Sequence, residues 1–399
     1  MKERKKAIWL VAGGPMQRVA AEKILARGFR LIISDGDKDC VLVHLADEFV
    51  EVDIFDVENH IKHADKLNEL YEISGVFTAA SDCHETVALL AQHLELHGID
   101  PAVSKTCRQK HQTRKVLSDY GIIQPRSALA TTFKQAIDIA NELTYPIAVK
   151  PTDSSGSRGF FAIKNRDEFT ELKFKKALSF GSVNAVIIED LLTPIGDQIA
   201  ELSVETLWVD GNYFWLNWVD RLFRSDFKYF PNLFGEGENP YENVNWGVEL
   251  AHLNPAQHSV SIEGELRSLL ERAGKAIGMT EQKGGHILKF DIMLTDKGPV
   301  ILEMTPRLSG GWDSSLSSVI RGGDLVDGAI GMSLGEQIDE SYIDKYFSFK
   351  NKPCHVAVLS KIELNAENCI GRRFVCGKAD NRLDALTNAI DSLKMQKFI

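Results

Sequence analysis

Asp291 and Glu303 stand twelve residues apart, on either side of a turn at Asp296-Lys297-Gly298. Apolar residues surround both, in "HILKFDIMLT" and "GPVILEMT". The segment therefore reads as a β-hairpin, which sets such positions side by side. Two carboxylates held together repel unless a cation lies between them. Mg²⁺ suits the pair, because it takes oxygen ligands and commonly uses one or two carboxylates with substrate phosphates. Two solvated strand carboxylates would leave the same trace. "MTPRLSGG" follows, with a glycine pair that lets backbone approach a ligand. Its Arg307 carries a planar fork suited to a carboxylate or phosphate. A surface arginine paired with a nearby Asp is the plainer alternative.

A second stretch, "YPIAVKPTDSSGSRGF", places Lys150 at the end of a short apolar strand, facing a loop of small residues. A compact ammonium is a good phosphate ligand. Ser154, Ser155 and Ser157 offer hydroxyls, and the loop Asp153–Gly159 offers free N–H groups, an anion nest in outline. It does not match G-x-x-x-x-G-K-[ST]. A hairpin with a polar tip would look alike.

The elements around these residues fall into two textures. Up to Pro101, short apolar runs ("AIWLVA", "FRLIISD", "EFVEVD", "ISGVFTAAS") alternate with helical segments ("QRVAAEKILARG", "CHETVALLAQHLELHG"). That spacing predicts a Rossmann-like parallel sheet covered by helices. "AGGPMQ" after the first strand lacks G-x-G-x-x-G, which argues against a nicotinamide-dependent oxidoreductase. A ligand is expected instead outside the strands' carboxyl ends, where "AASD", Ala79–Asp82, lies. Beyond Pro101, "SKTCRQKHQTRKVLSDYG" reads as one helix from Ser104 to Gly121. "PIAVKP", "FFAIK" and "AVIIEDLL" read as strands, and "IAELSVETLWVDGNYFWLNWV" as a hairpin turning at Asp210-Gly211. "IEGELRSLLERAGKAIGM" is a long helix, and the tail from about Phe347 a small α/β piece. Phe227, Tyr229, Phe230, Phe234, Tyr241 and Trp246 crowd one loop, either lining a pocket or packing on one another.

The chain has 399 residues, room for two or three domains, and a net charge of −10, which argues against nucleic-acid or anionic-membrane binding. Cys40, Cys83, Cys107, Cys354, Cys369 and Cys376 are scattered without a C-x-x-C pair, as in a cytoplasmic protein with reduced thiols. The basic start "MKERKK" leads into an apolar run too short for a signal peptide, and no run reaches a membrane span. No G-x-S-x-G nucleophile motif is present.

From Ser104 to Gly311 the order and spacing of these motifs resemble the ATP-grasp enzymes, most closely the carboxylate–amine (amino-acid) ligases. The resemblance implies an α/β chain: a Rossmann-like N-terminal domain (1–103), a linker helix and small lobe with the glycine-rich loop (104–188), a large lobe with the metal site (189–335) and a C-terminal α/β subdomain (336–399). It implies ATP and Mg²⁺ or Mn²⁺ as cofactors. It also implies phosphate-binding roles for Lys110 and Lys150, and a loop of Ser154, Ser155, Gly156, Ser157 and Gly159 that folds over the phosphates. Glu189, Asp190, Leu191 and Leu192 match the segment that holds adenine, and Glu201 the carboxylate on the ribose, with Asp197 a weaker candidate. Asp291 and Glu303 match the metal-binding acids, and Arg307 the arginine that steadies an acyl phosphate or the substrate carboxylate. Lys289, on the strand face of Asp291, would add charge near the phosphates. Gln109 stands where relatives have Asp, Asp291 where many have Glu, and Thr305 where they have a metal-binding Asn, which favours one metal ion over two.

The implied reaction is ATP-dependent activation of a carboxylate as an acyl phosphate and its joining to an amine. Cations arranged in advance suit that step, since negative phosphate meets negative carboxylate. The expected partners are small-molecule carboxylate and amine substrates, with a homodimer allowed. Bicarbonate activation of the carboxylase or carbamoyl-phosphate type, and a non-catalytic ATP-binding module, are the alternatives.

Overall fold

The computed structural model describes residues 4–154, 156–234, 239–244, 247–364 and 370–399; Ser155, Trp246 and Cys369 lie outside them. Strands β1 (Lys5–Val11), β2 (Arg30–Asp35), β3 (Glu48–Glu51) and β4 (Tyr71–Phe77) form a parallel sheet in the order β3-β2-β1-β4. The core of β1, Ala7 to Val11, is fully buried, as a parallel strand covered on both faces requires. Helices Arg18–Ala26, Val57–Leu70 and His84–His93 connect the strands. The helix Val57–Leu70 is the one the residue pattern left unread. It buries only His60, Ala64 and Leu67, too small and polar a stripe to stand out, and is started by the Asp56 side chain accepting from Asn59 N.

Strands β5 (Ser127–Ala130), β6 (Ile147–Pro151), β7 (Phe161–Ile163) and β8 (Val186–Asp190) form a small antiparallel sheet, ordered β5-β8-β6-β7. Its apolar core, with Ala136, Ala140, Val149, Phe169, Phe174 and Ile188, is drawn from this segment alone.

The largest sheet has seven antiparallel strands: β9 (Glu201–Val209), β10 (Asn212–Leu222), β11 (Ala251–Asn254), β12 (Gly285–Thr295), β13 (Gly298–Thr305), β14 (His355–Leu364) and β15 (Ile370–Ala379). They are ordered β13-β12-β9-β10-β11-β14-β15. The tail thus extends this sheet through β14 and β15, and the helix Arg382–Lys394 buries Ala385, Leu386, Ala389 and Ile390 in the same core cluster. The first sheet shares its core with the large one: Ile8, Leu10 and Ile24 cluster with Leu207, Ile287 and Ile330. Ion pairs from the first helix, Lys23–Asp324 at 2.6 Å and Arg27–Asp327 at 2.7 Å, run along the same junction.

The segment expected as one helix from Ser104 to Gly121 is two, Pro101–Arg108 and Lys110–Asp119, broken at Gln109, whose backbone is extended (φ −95°, ψ 101°). The break frees the Lys110 amide to donate to Thr152 O at 2.8 Å. Of the crowded aromatics, Phe227 stacks on Tyr241 with ring centres 5.1 Å apart and meets Phe234 edge-on at 5.3 Å, so the loop packs on itself. Among the described residues, no helix is long and apolar enough to cross a membrane.

The helix Val260–Ala276 lies against the large sheet through Leu266, Leu270 and Ala273. A Cβ on Gly274 would fall 2.1 Å from Trp208 Cζ2, in a fully buried indole. Gly274→Ala gains about 1 kcal/mol of helix propensity but overpacks the core at a cost of about 1–3 kcal/mol. The net effect expected is a lower thermal unfolding midpoint, read by circular dichroism; an unchanged or raised midpoint would show that the indole yields freely.

Candidate active site

A cleft opens between the small sheet and the large one. Its described lining includes Lys110, Lys150, Ser154, Gly156 and Ser157 on one side, Glu189 to Leu192 at the back, and Glu201, Arg221, Asp291 and Glu303 on the other. Residues far apart in sequence meet here because β6 and β8 pair in the small sheet while β9, β10, β12 and β13 lie side by side in the large one.

On the small side, Lys150 Nζ lies 2.5 Å from Glu189 Oε1, and Arg114 Nε donates to Glu189 Oε2 at 3.0 Å. Burial pushes the Glu189 carboxyl upward, but the Arg114 and Lys150 charges outweigh it and hold the group at about 2. Burial also lowers Lys150, against the pull of Glu189. Arg114 also donates to Gln124 Oε1 (2.8 Å), Ile301 O (2.8 Å) and Leu302 O (3.2 Å), the last two stitching the helix Lys110–Asp119 to β13. Lys110 Nζ reaches Ser154 O at 2.5 Å and Glu303 Oε1 at 3.0 Å, so it bridges the loop and the large sheet.

The loop itself is held at its root. Asp153 accepts from Ser182 N at 2.9 Å, and also from the Ser182 hydroxyl. Gly156 and Gly159 take φ +61° and +75°, a left-handed backbone that glycine adopts without strain. The Ser154 hydroxyl is buried without a hydrogen-bond partner. A buried hydroxyl without a partner is costly, and a phosphate oxygen would satisfy it.

On the large side, one face of the sheet carries polar residues in rows set by strand register. Thr305, Lys289, Glu205 and Asn217 form one row; Glu303, Asp291 and Ser203 the next; then Glu201, Arg221 and His252. Lys289 Nζ lies 2.6 Å from Asp291, and Arg221 Nη1 3.4 Å. Burial raises Asp291 while these two cations pull it down further, so it is held below the usual carboxylate range. Glu201 goes the other way: burial, reinforced by Glu249 and Asp291, pushes it up to about 7 despite Arg221 at 3.8 Å. Asp291 Oδ1 accepts no well-directed hydrogen bond, and the Thr305 hydroxyl has no partner. The described residues hold no group of three His, Cys, Asp or Glu arranged for a metal. Two carboxylates and a free hydroxyl nonetheless fit Mg²⁺, which completes its shell with phosphate and water oxygens.

Residues 109–197 match the family model "Carbamoyl-phosphate synthase L chain, ATP binding domain". The solved structure of an L-amino acid ligase from Bacillus licheniformis superposes with a TM-score of 0.66 at 17% identity, covering 92% of this chain and 82% of that one. The chain has the ATP-grasp fold. It is 25% identical over 307 residues to "Uncharacterized protein y4rH" of Sinorhizobium fredii, matching 74% of this chain and 56% of that protein. It is 22% identical over 335 residues to the carbamoyl phosphate synthase large chain of Ralstonia nicotianae, matching 80% of this chain and 29% of that protein. The chain thus spans well under two thirds of the length of these two curated relatives.

Within this ATP-grasp fold, most residues singled out from the sequence line the cleft together: Lys110, Lys150, Ser154, Gly156, Ser157, Glu189, Asp190, Leu191, Leu192, Glu201, Asp291 and Glu303. Ser155 lies outside the described residues. Gly159, Lys289, Thr305 and Asp197 are not part of the described lining. The Glu189 carboxylate is paired with Arg114 and Lys150. Asp190 pairs with Arg126 at 2.8 Å. Arg307 turns to the first domain, its Nε 3.1 Å and Nη2 2.5 Å from Asp82 Oδ1. Its partner lies in the "AASD" segment at the end of the first sheet.

Arg114, Arg221, Glu205, Glu249, His252 and Asp313 were not singled out from the sequence. For Glu201, Glu205, Asn217 and Arg221 a signal existed: polar residues at period two inside strongly apolar strands, which call for buried partners. His252 donates toward Asp313 at 2.8 Å and Glu249 at 2.5 Å. Burial lowers His252, but these two carboxylates prevail and raise it to about 10. The folded protein therefore holds this proton more tightly than the unfolded chain. The resulting stabilisation is complete below about pH 6.5 and drains away as pH climbs through 10. His252→Phe should lie well below the parent in unfolding midpoint at pH 6, with the gap closing towards pH 10. A gap that stays constant in midpoint-against-pH curves would remove the charge from His252.

Proposed function

We propose that the protein is an ATP-dependent ligase that activates a carboxylate, joins it to an amine and releases ADP and phosphate. The observation that carries the reading is one cleft holding Lys110, Lys150, a glycine loop with a partnerless buried hydroxyl, and the facing acids Asp291 and Glu303. In this reading Lys150, drawn from Glu189, and Lys110, drawn from Glu303, turn to the phosphates. Leu191 and Leu192 cover the base and Glu201 meets the ribose. Mg²⁺ on Asp291 and Glu303 would neutralise phosphate charge and orient the γ-phosphoryl group.

A carboxylate oxygen of the substrate attacks the γ-phosphorus and ADP leaves. The amine then attacks the acyl carbon, phosphate leaves with the C–O electron pair, and the amine loses a proton. Arg307 steadies the charge on the acyl phosphate or the attacking carboxylate, with Asp82 fixing its fork. The glycine loop excludes water from the intermediate. The free thiols of Cys40, Cys83, Cys107, Cys354 and Cys376 agree with a cytoplasmic setting.

A second reading takes bicarbonate as the acid. It is favoured by the matched ATP-binding model and by the carbamoyl phosphate synthase relatives. Both readings predict ADP and phosphate in equal amounts. A screen of amino-acid pairs, and of bicarbonate with ammonia, read by ADP release and mass spectrometry of the product, separates them. AMP and pyrophosphate as products would overturn both.

Arg307→Ala is expected to keep ATP affinity by calorimetry yet lose on the order of 10²–10³ in turnover, as removal of a preorganised transition-state donor does. Arg307→Lys should restore turnover only in part, since a point charge does not replace a bidentate fork. Full turnover by the alanine variant on every accepted substrate pair would dismiss the role given to Arg307. An ATP-binding module without activity would show binding in all three proteins and turnover in none.

A further inference from the structure

We propose that Arg108 is a positioning residue through which the first domain sets both the glycine loop and Arg307. The inference rests on the ligase reading above and deepens it. Arg108 is the last residue of the helix Pro101–Arg108, directly before the break at Gln109. It is not part of the described lining of the cleft, so it acts through other groups rather than on the reactants.

The first domain forms a socket around the guanidinium. Nη1 donates to Asp82 O at 3.1 Å, Nε lies 3.6 Å from a Glu85 carboxylate oxygen, and Cζ stands 4.2 Å from the centre of the Phe55 ring. A planar fork with donors on several sides suits such a socket, and its face stacks on an aromatic ring. Asp82 is thereby held twice. Its backbone carbonyl receives Arg108, and its carboxylate receives Nε of Arg307 at 3.1 Å. A change at Arg108 therefore acts on the peptide that carries the partner of Arg307.

The other terminal nitrogen reaches the small sheet. Nη2 lies 3.9 Å from Asp153 Oδ2, at the root of the glycine loop. The Asp153 side chain is 1% exposed; its Oδ2 accepts from Ser182 N, and its Oδ1 has no hydrogen-bond partner. A carboxylate taken out of water calls for a cation, and Arg108 brings one. The residues that follow fasten the same strand end: Lys110 N donates to Thr152 O at 2.8 Å, and His111 Nδ1 meets the Thr152 hydroxyl at 2.7 Å. The loop root is thus tied to the break, and Arg108 ties the break to the first domain. The apolar core of the small sheet is drawn from its own segment, so alignment with the first domain falls to polar contacts such as this one.

The test compares the parent chain, Arg108→Met, Arg307→Ala and the double variant, each checked for folding by circular dichroism. Turnover is read as ADP release, and nucleotide affinity by calorimetry with a non-hydrolysable ATP analogue. Small misplacements of reacting groups cost up to about 10²-fold in rate, so Arg108→Met is expected to lose roughly 10–10²-fold in turnover. It should also bind the analogue several-fold more weakly. In the Arg307→Ala background the same change should leave turnover nearly where it was, while the affinity loss stays as large. A merely structural arginine would lower turnover by the same factor in both backgrounds, and that result would overturn the proposal. Parent-like turnover and affinity in Arg108→Met would overturn it as well. Arg108→Lys, whose single ammonium does not serve Asp82, Glu85 and Asp153 together, should fall between the parent and Arg108→Met. It carries the same comparison if the methionine variant does not fold. A parent that binds the analogue but releases no ADP with any substrate pair would overturn the ligase reading. Affinity then decides the proposal: weaker binding by Arg108→Met supports it, and unchanged binding overturns it.

Discussion

A carboxylate taken out of water must be given a positive partner, and the cleft is organised around that demand. Asp291 lies between Lys289 and Arg221; Glu189 lies between Lys150 and Arg114. Each acid fixes two cations at once, and each pair of cations comes from separate elements or rows. Removing either acid would leave two buried positive charges facing one another. The same acids hold Lys150 and Lys289 in place as buried ion pairs. The balance is local: Glu201, a short step from Asp291, shares Arg221 with two other carboxylates and is pushed up to about 7.

What could be read in advance follows from this. The hairpin of Asp291 and Glu303 was legible because its turn and alternation are local, and the register pairs them as the pattern required. Lys150 was legible because a lysine closing a buried strand needs a reason. The ATP-grasp likeness ordered these pieces along the chain, and three sheets of the expected kinds result. The break at Gln109 was not legible, for it is made by a hydrogen bond from Lys110 N to Thr152 O, a partner brought in by the tertiary fold. Nothing in "RQKHQTR" alone disfavours a continuous helix.

Arg114, Arg221 and His252 were missed for a related reason. A buried charge is recognisable only with its counter-charge, and theirs lie on other strands and helices. The polar residues at alternate positions of β9 and β10 carried half of that message. Asp82 was noted only as the end of a strand, and Arg307 is what gives it a purpose. The tail was read as a piece of its own because its strands and helix are self-consistent. Its pairing with β11 could not be inferred from residues so distant.

The small sheet keeps its apolar core to itself, whereas the first and largest sheets share one. Apolar contact is lost all at once when two bodies part, but polar contacts can be traded for water or for a ligand one at a time. Arg114 and Lys110, which reach Ile301, Leu302 and Glu303 of β13, therefore act as latches across the cleft, and the rest of the molecule as the frame they fasten to. Lys150 and the glycine loop belong to the small sheet and its edge. Asp291, Glu303 and Arg307 belong to the frame, on or just after the large sheet's hairpin. The cleft is thereby built from two bodies with separate cores, and the latches are the parts that touch both.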